Sequence, residues 1–394
     1  MQFEAWWLLA IPLFFGLGWL ASRLDARSLQ REHRRLPDAY FKGLNFLLNE
    51  QPDKAIDAFV DVVRLDPDTV ELHFALGNLF RRRGETDRAI RVHQNLAQRT
   101  DLGDAQRDHA MYELGQDYLR AGLLDRAEDV FNRLEGSAYG AAALHHRLDI
   151  AQQVRDWPLA IELAGRAQAD GDENLQRRVG HFHCELAAQA LSATGAGRLE
   201  AASRELTAAL RADPLHPRAH LLSAEVALAE ADAAAAIRAW SEVARSSPAH
   251  LALVADGWLQ AHRTVGLLDQ GIATLEKVLR ETPSVDGLSA LIRARSERDG
   301  AAAALAWARG ALREHPSLLG LEMLLELRAR VLADTDRDDI ELTQKLIRGQ
   351  AQRLSRYVCG HCGFKARQYY WQCPGCNRWD SYAPRRSEEL ERTG

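Results

Sequence analysis

Met111-Tyr-Glu-Leu114-Gly115-Gln-Asp-Tyr118-Leu-Arg-Ala-Gly-Leu-Leu-Asp-Arg-Ala127-Glu-Asp-Val-Phe131 is the stretch whose reading decides the fold. Small residues at Gly115 and Ala127 let two antiparallel helices approach, and the bulky Leu114, Tyr118 and Phe131 fill the gaps beside them. The same signs stand upstream. Leu76, Gly77, Phe80 and Ala89 repeat them, and so do Gly43, Phe46, Ala55 and Phe59, closed by Pro67. Glycine and alanine recur at a spacing of 34 (77 − 43 and 89 − 55), and the third copy is set back by four (115 − 77 = 38) by a polar stretch around Arg99 to Arg107.

Downstream the copies degenerate but their punctuation persists. Pro214, Pro248, Pro283 and Pro316 follow one another at 34, 35 and 33 residues, closing helices such as Leu199 to Ala212 and Ala234 to Arg245. Ala160, Ala202, Ala236, Gly271 and Ala304 take the small-residue position. The pattern resembles the tetratricopeptide repeat, in which each helix pair is half a core that the next pair closes. Residues 36–333 therefore predict about eight to nine helix pairs, with an enlarged loop at Ser192 to Gly197. Residues 334–356 read as a linker and a last helix from Ile340 to Leu354. The expected fold is mainly α, a tetratricopeptide-repeat superhelix. Such grooves bind other proteins, but the basic clamp some use for acidic tails is not evident: its positions carry Tyr40, Leu44, Asn78 and Gln116.

Composition agrees. Only 7% of the 394 residues are aromatic while alanine and leucine abound, which favours helices packed through small residues over a sheet protein. A net charge of −5 is too balanced for a general nucleic-acid binder.

Four of the five cysteines lie in one short stretch, as Cys359-Gly-His-Cys362-Gly and Cys373-Pro-Gly-Cys376. Each C-x-x-C turns tightly on glycine, so two sulfurs can face one ion, and two such knuckles form a tetrahedral site for Zn or Fe. A pair of disulfides would need an oxidising compartment. Four sulfurs leave no open coordination position for catalysis. Residues 357–384 resemble the rubredoxin-like and zinc-ribbon modules, which are too small to bury a core of their own. Metal binding there supplies folding free energy on the order of 10 kcal/mol. Tyr369, Tyr370, Trp371, Phe364 and Trp379 are expected to pack around the cluster. An alternative reading uses the same aromatic residues with Arg367, Arg378, Arg385 and Arg386 to stack on bases.

From Ala5 to Ala21 no residue is charged, and Trp6, Trp7 and Trp19 stand at the two ends. This predicts a transmembrane anchor over 1–21, with no Lys or Arg ahead of it to make a signal peptide. Arg23, Arg27, Arg31, Arg34 and Arg35 follow in a basic juxtamembrane linker, 22–35, which holds the body of the protein on the cytoplasmic side. Reduced thiols require the same side. The expectation is a single-pass protein of the inner membrane with its N-terminus periplasmic.

No phosphate-binding loop, H-E-x-x-H or G-x-S-x-G occurs, so enzymatic activity has no visible basis. His181, His183, Cys184 and Glu185 look like a ligand cluster, but on a helix His181 and Cys184 share a face that His183 leaves. Cys184 reads as a small buried residue.

An anchor, cytoplasmic repeats and a C-terminal four-cysteine ribbon, in that order, resemble the lipopolysaccharide assembly protein B family. Trp6 to Leu20, Gly43 to Pro67 and Tyr357-Val-Cys-Gly-His-Cys-Gly-Phe to Tyr370-Trp-Gln-Cys-Pro-Gly-Cys-Asn-Arg-Trp379 carry the resemblance. It implies a repeat superhelix with a rubredoxin-like domain packed on it, Cys359, Cys362, Cys373 and Cys376 as metal ligands, and adaptor work without catalysis. The implied partners are the deacetylase that commits precursors to lipid A (LpxC), a membrane AAA+ zinc protease (FtsH), and other inner-membrane lipopolysaccharide regulators or assembly proteins; nucleic acid is not among them. Two alternatives stay open: a membrane-tethered RNA- or ribosome-binding module, and an electron-transfer protein built on an iron tetrathiolate. The last residues, 385–394, read as a tail.

Overall fold

The computed structural model describes residues 38–49, 51–65, 69–167, 173–331, 337–354 and 356–390. The anchor and linker expected over 1–35 lie outside these residues, as does Pro67 of the first copy. Among the described residues no helix is long and apolar enough to cross a membrane.

Helices follow in pairs. They are α1 (Asp38–Leu48) with α2 (Pro52–Leu65), α3 (Val70–Arg83) with α4 (Thr86–Gln98), and α5 (Asp104–Arg120) with α6 (Leu124–Arg133). Next come α7 (Gly140–Val154) with α8 (Trp157–Ala167), α9 (Glu173–Ser192) with α10 (Arg198–Ala212), and α11 (Pro217–Ala229) with α12 (Ala233–Ser246). A 3₁₀ turn, Pro248–Val254, precedes α13 (Ala255–Thr264) with α14 (Leu268–Glu281), then α15 (Val285–Asp299) with α16 (Ala301–Glu314), and α17 (Leu318–Val331) with α18 (Arg337–Leu354). Strands β1 (Tyr357–Val358) and β2 (Lys365–Ala366) pair antiparallel, and a one-turn helix, α19 (Ser387–Leu390), follows them. The chain divides after Ile150 into two compact units.

In the first unit the glycines of the repeat show their purpose. A Cβ on Gly43 would stand 2.5 Å from the Phe59 ring, one on Gly77 2.4 Å from His93, and one on Gly115 2.6 Å from Phe131. Each ring belongs to the second helix of the same pair and comes so close to the first that no side chain fits between them. Ala55, Ala89 and Ala127 are fully buried at the matching contact. His93 replaces the phenylalanine of its neighbours and brings a polar edge into the core. Its Nδ1 lies 2.5 Å from Asp117 Oδ2, and Asp117 accepts at 2.9 Å from Arg81, which also bonds Glu113. Burial of these charges is tolerable because they are paired.

The second unit holds its core around Trp240, Trp258, Leu251, Leu275 and Leu291, with a second cluster around Cys184, Leu206 and Val226. Ala160, Ala202, Ala236 and Ala304 are fully buried, as the small-residue position requires. Pro248, Pro283 and Pro316 each stand just beyond a helix end, at Ser246, Glu281 and Glu314, where the missing N–H stops the ladder.

Candidate metal centre

Two knuckles of matching geometry build the site. In the first, Gly363 donates to the carbonyl of Cys359 (3.0 Å), and Cys359 donates to that of Phe364 (3.0 Å). In the second, Asn377 donates to Cys373 (2.8 Å) and Cys373 to Arg378 (2.8 Å). The residue four beyond the leading cysteine must turn left-handed. Gly363 does so at φ 75°, and Asn377 at φ 56° is one of the few side-chain-bearing residues that tolerate it. The backbone N–H of His361 points at Cys359 Sγ, and that of Gly375 at Cys373 Sγ, both at 3.4 Å. The β1–β2 hairpin carries one knuckle, and the bridge between Gln372 and Trp379 closes the other.

All four Sγ atoms lie within 4.8 Å of one another, with Cys359 to Cys376 at 3.8 Å and Cys362 to Cys373 at 3.6 Å. Tetrahedral sulfurs about 2.3 Å from one ion stand about 3.8 Å apart, so the donor set fits a single Zn or Fe. The thiols also need the ion electrostatically. Burial pushes Cys359 up, but hydrogen bonds from Ser381 and from the backbone of Cys362 and His361 outweigh it and bring the thiol down to about 6. Cys376 goes the other way, to about 12: the backbone at Arg378 favours its thiolate, but burial and the three neighbouring thiols overrule it. A cation at the centre removes that conflict.

The tryptophans do not wrap the cluster, as the sequence reading had them. Tyr357, Tyr369 and Tyr382 pack there, whereas Trp371 and Trp379 face the repeats. The ribbon is too small to enclose two indoles, and the repeats offer flat imidazoles to cover them. Trp379 stacks on His181 (4.4 Å, 12°) and donates to Gln152 Oε1 at 2.9 Å. Trp371 stacks on His250 (5.1 Å, 9°), whose Nε2 lies 3.2 Å from the Tyr369 hydroxyl. Asp380 lies 2.6 Å from Arg177 and 3.0 Å from His181. Burial raises the Asp380 carboxyl, but His181 and Arg177 together hold it well below the usual carboxylate range.

Beyond the knuckles the chain stays fastened. Arg386 grips Asp286 with two bonds of 2.8 and 2.9 Å, lies over the Tyr357 ring at 4.3 Å, and shares Asp286 with the Tyr357 hydroxyl at 2.7 Å. Glu389 accepts from the Val285 N–H at 2.7 Å, and Glu388 accepts from Leu318 and Leu319. Two carboxylates of α19 thus cap the N-termini of α15 and α17, where the helix dipole favours negative charge.

The cluster read at His181 to Glu185 spreads apart. His181 goes to Asp380, His183 to Glu205 (2.8 Å) and Glu185 to Arg218 (2.7 Å), while burial pushes the Cys184 thiol up to about 12. These residues do not converge on an ion. Sequence reasoning missed the seat itself: His181, His250, Gln152 and Asp286 sit on four separate elements. The available signal was two tryptophans on a module with no core to hold them.

Comparison with known proteins follows the same division. The rubredoxin metal binding domain family matches residues 357–384, and the tetratricopeptide repeat family matches 42–105 and 187–250. Lipopolysaccharide assembly protein B of Escherichia coli K12 is 32% identical over 95% of this chain and 97% of its own. The protein of that name from Haemophilus influenzae is 27% identical over 97% of this chain and 98% of its own. A solved tetratricopeptide-repeat structure from Cytophaga hutchinsonii is similar over 63% of this chain and 99% of its own at 13% identity, with a TM-score of 0.37.

Proposed function

The chain belongs to the lipopolysaccharide assembly protein B family, and from that premise we propose that it is a membrane-anchored adaptor without catalysis of its own. It controls lipopolysaccharide synthesis by bringing the lipid A-pathway deacetylase LpxC to the membrane AAA+ protease FtsH. Cys359, Cys362, Cys373 and Cys376 hold one Zn or Fe, which supplies the folding free energy of the ribbon. A short anchor over 1–21 confines the repeats to the cytoplasmic face of the inner membrane and raises their effective concentration beside a membrane protease.

The observation that carries this reading is the way the ribbon is held. Stacked rings, an Asp380 ion pair and the Arg386–Asp286 fork fix it to helices from α9 to α15, so repeats and ribbon present one composite surface. Such a surface suits recognition rather than turnover. It also speaks against stacking on bases, because Trp371, Trp379 and Arg386 are engaged within the protein.

The experiment is affinity capture of the full chain from solubilised membranes, alongside Cys373→Ser, with bound proteins identified by mass spectrometry and LpxC half-life followed in cells. Recovery of both enzymes, weakened by the substitution and accompanied by slower LpxC loss, is the expected result. Recovery of ribosomal proteins and RNA without either enzyme would overturn it.

A further inference from the structure

The last helix of the repeats, α18, gives one face to the fold and leaves the opposite one bare. Ile340, Gln344 and Ile347 are half-buried and Ala351 is fully buried with Val285 and Leu319, four positions that recur at helical spacing. Beside them Arg348 reaches Glu322 of α17 at 2.6 Å. Leu342 and Leu346, one turn apart on the far side, are 59% and 69% exposed. Gly349 continues their line, and a Cβ there would meet nothing within 4 Å. The helix that closes a repeat array ordinarily turns polar residues outward, since no further repeat covers it. Bare leucines lower solubility and a mid-helix glycine costs about 1 kcal/mol against alanine, and the packing of the described residues calls for neither.

Charge and register say what covers the stripe. α18 is acidic in its first half, with Asp338, Asp339 and Glu341, and basic in its second, with Lys345, Arg348 and Arg353. A second α18 laid antiparallel brings each acidic half against a basic one, whereas a parallel one sets like charge against like. Positions 338, 342, 346, 349 and 353 fall on one face of the helix. A two-fold axis crossing between 345 and 346 is equally far from 342 and 349, and equally far from 338 and 353. That single axis therefore seats Leu342 on the partner's Gly349, sets Asp338 opposite the partner's Arg353 and brings the two Leu346 side chains together at the centre. Close approach over a glycine is the device that Gly43 and Gly115 already supply inside the repeats.

We propose that the outer face of α18 is the contact between two copies of this chain, an isologous pair of antiparallel helices with Leu342 and Leu346 at its centre. From 338 to 353 the seam is about 22 Å long. That is short for a permanent dimer, so association in the micromolar range is expected. The contact goes beyond the adaptor reading and does not depend on it: whatever the repeats hold, the dimer presents it twice.

The test is sedimentation equilibrium of the full chain in density-matched detergent, from low to high micromolar protein, where a monomer–dimer equilibrium is expected. Leu342→Glu should weaken it roughly a hundredfold, because each change enters the contact twice, while its thermal melt matches the parent. Gly349→Leu should weaken it about tenfold and yet raise the melting temperature of dilute, monomeric samples, opposite signs that separate the contact from the fold. Asp338→Arg and Arg353→Asp should each weaken it about three- to tenfold, and the two together should restore it, as an antiparallel pairing of the helix with itself requires. A chain that stays monomeric throughout overturns the proposal and leaves the stripe to a different protein. So does a dimer that Leu342→Glu leaves unchanged, which would place the association in the anchor. A double charge swap no tighter than its single variants overturns it as well.

Discussion

Asp380 is the residue on which the seat of the ribbon turns, because one carboxylate answers both Arg177 and His181. Asp380→Ala leaves a buried imidazole and a guanidinium facing each other without an anion. Denaturant titration should show about 2–3 kcal/mol lost. The imidazoles add a pH dependence. Burial presses His250 down to about 4 and His216 to about 2, and lowers His181 as well. The unfolded chain takes up these protons near pH 6.5 while the native protein does not, so stability falls as pH drops from about 6.5 to about 4. Glu389 works against this: burial raises it to about 6, so it gains stability between about pH 6 and its ordinary value of 4.5. Three imidazoles outweigh one carboxyl, and the thermal midpoint should fall on acidification from pH 7 to 4.5. His250→Phe keeps a ring against Trp371 and removes one titration, so its midpoint should depend less on pH. A profile as steep as the parent's would place the acid sensitivity elsewhere.

At the scale of the helix pair, sequence and structure agree where a rule is local. Gly115 and Ala127 could be read because helix approach demands small residues at a fixed spacing, and the Phe131 ring now shows why. Gly115→Ala should destabilise by about 1–2 kcal/mol, the new methyl forcing that ring aside. Gly165→Ala, in α8 with nothing within 4 Å, should be neutral or stabilising by up to about 1 kcal/mol. Opposite signs in thermal melts would confirm that packing, not propensity, sets the first. The four cysteines were legible for the same local reason. The seat was not: His181 and Trp379 are 198 residues apart, and no spacing rule joins them. Nor could the capping of α15 and α17 be seen, since Ser284 stands where a cap belongs and Glu389 does the work instead.

For the whole molecule, the ribbon and the second unit should respond together to loss of metal. Contacts run from Gln152 to Leu319 on the repeats, and most issue from residues that the knuckles hold in place. Chelation should therefore lower the melting temperature of the repeats along with that of the ribbon and free Trp371 and Trp379 to solvent, seen as a red shift in tryptophan emission. Cys373→Ser should reproduce this without chelator. Unchanged repeat melting after verified metal loss would mean that the ribbon rides on the repeats without supporting them.

The caps on α15 and α17 also set a schedule. Helix pairs can close one upon the next as the chain is synthesised, because each needs only its neighbour in sequence. The heads of α15 and α17 cannot be finished that way, since Glu389 lies 104 residues beyond Val285 and Glu388 lies 70 residues beyond Leu318. A nascent chain thus carries two open helix ends until the segment beyond the ribbon has emerged, so the repeats that begin at Val285 and Leu318 are finished late however early they are made.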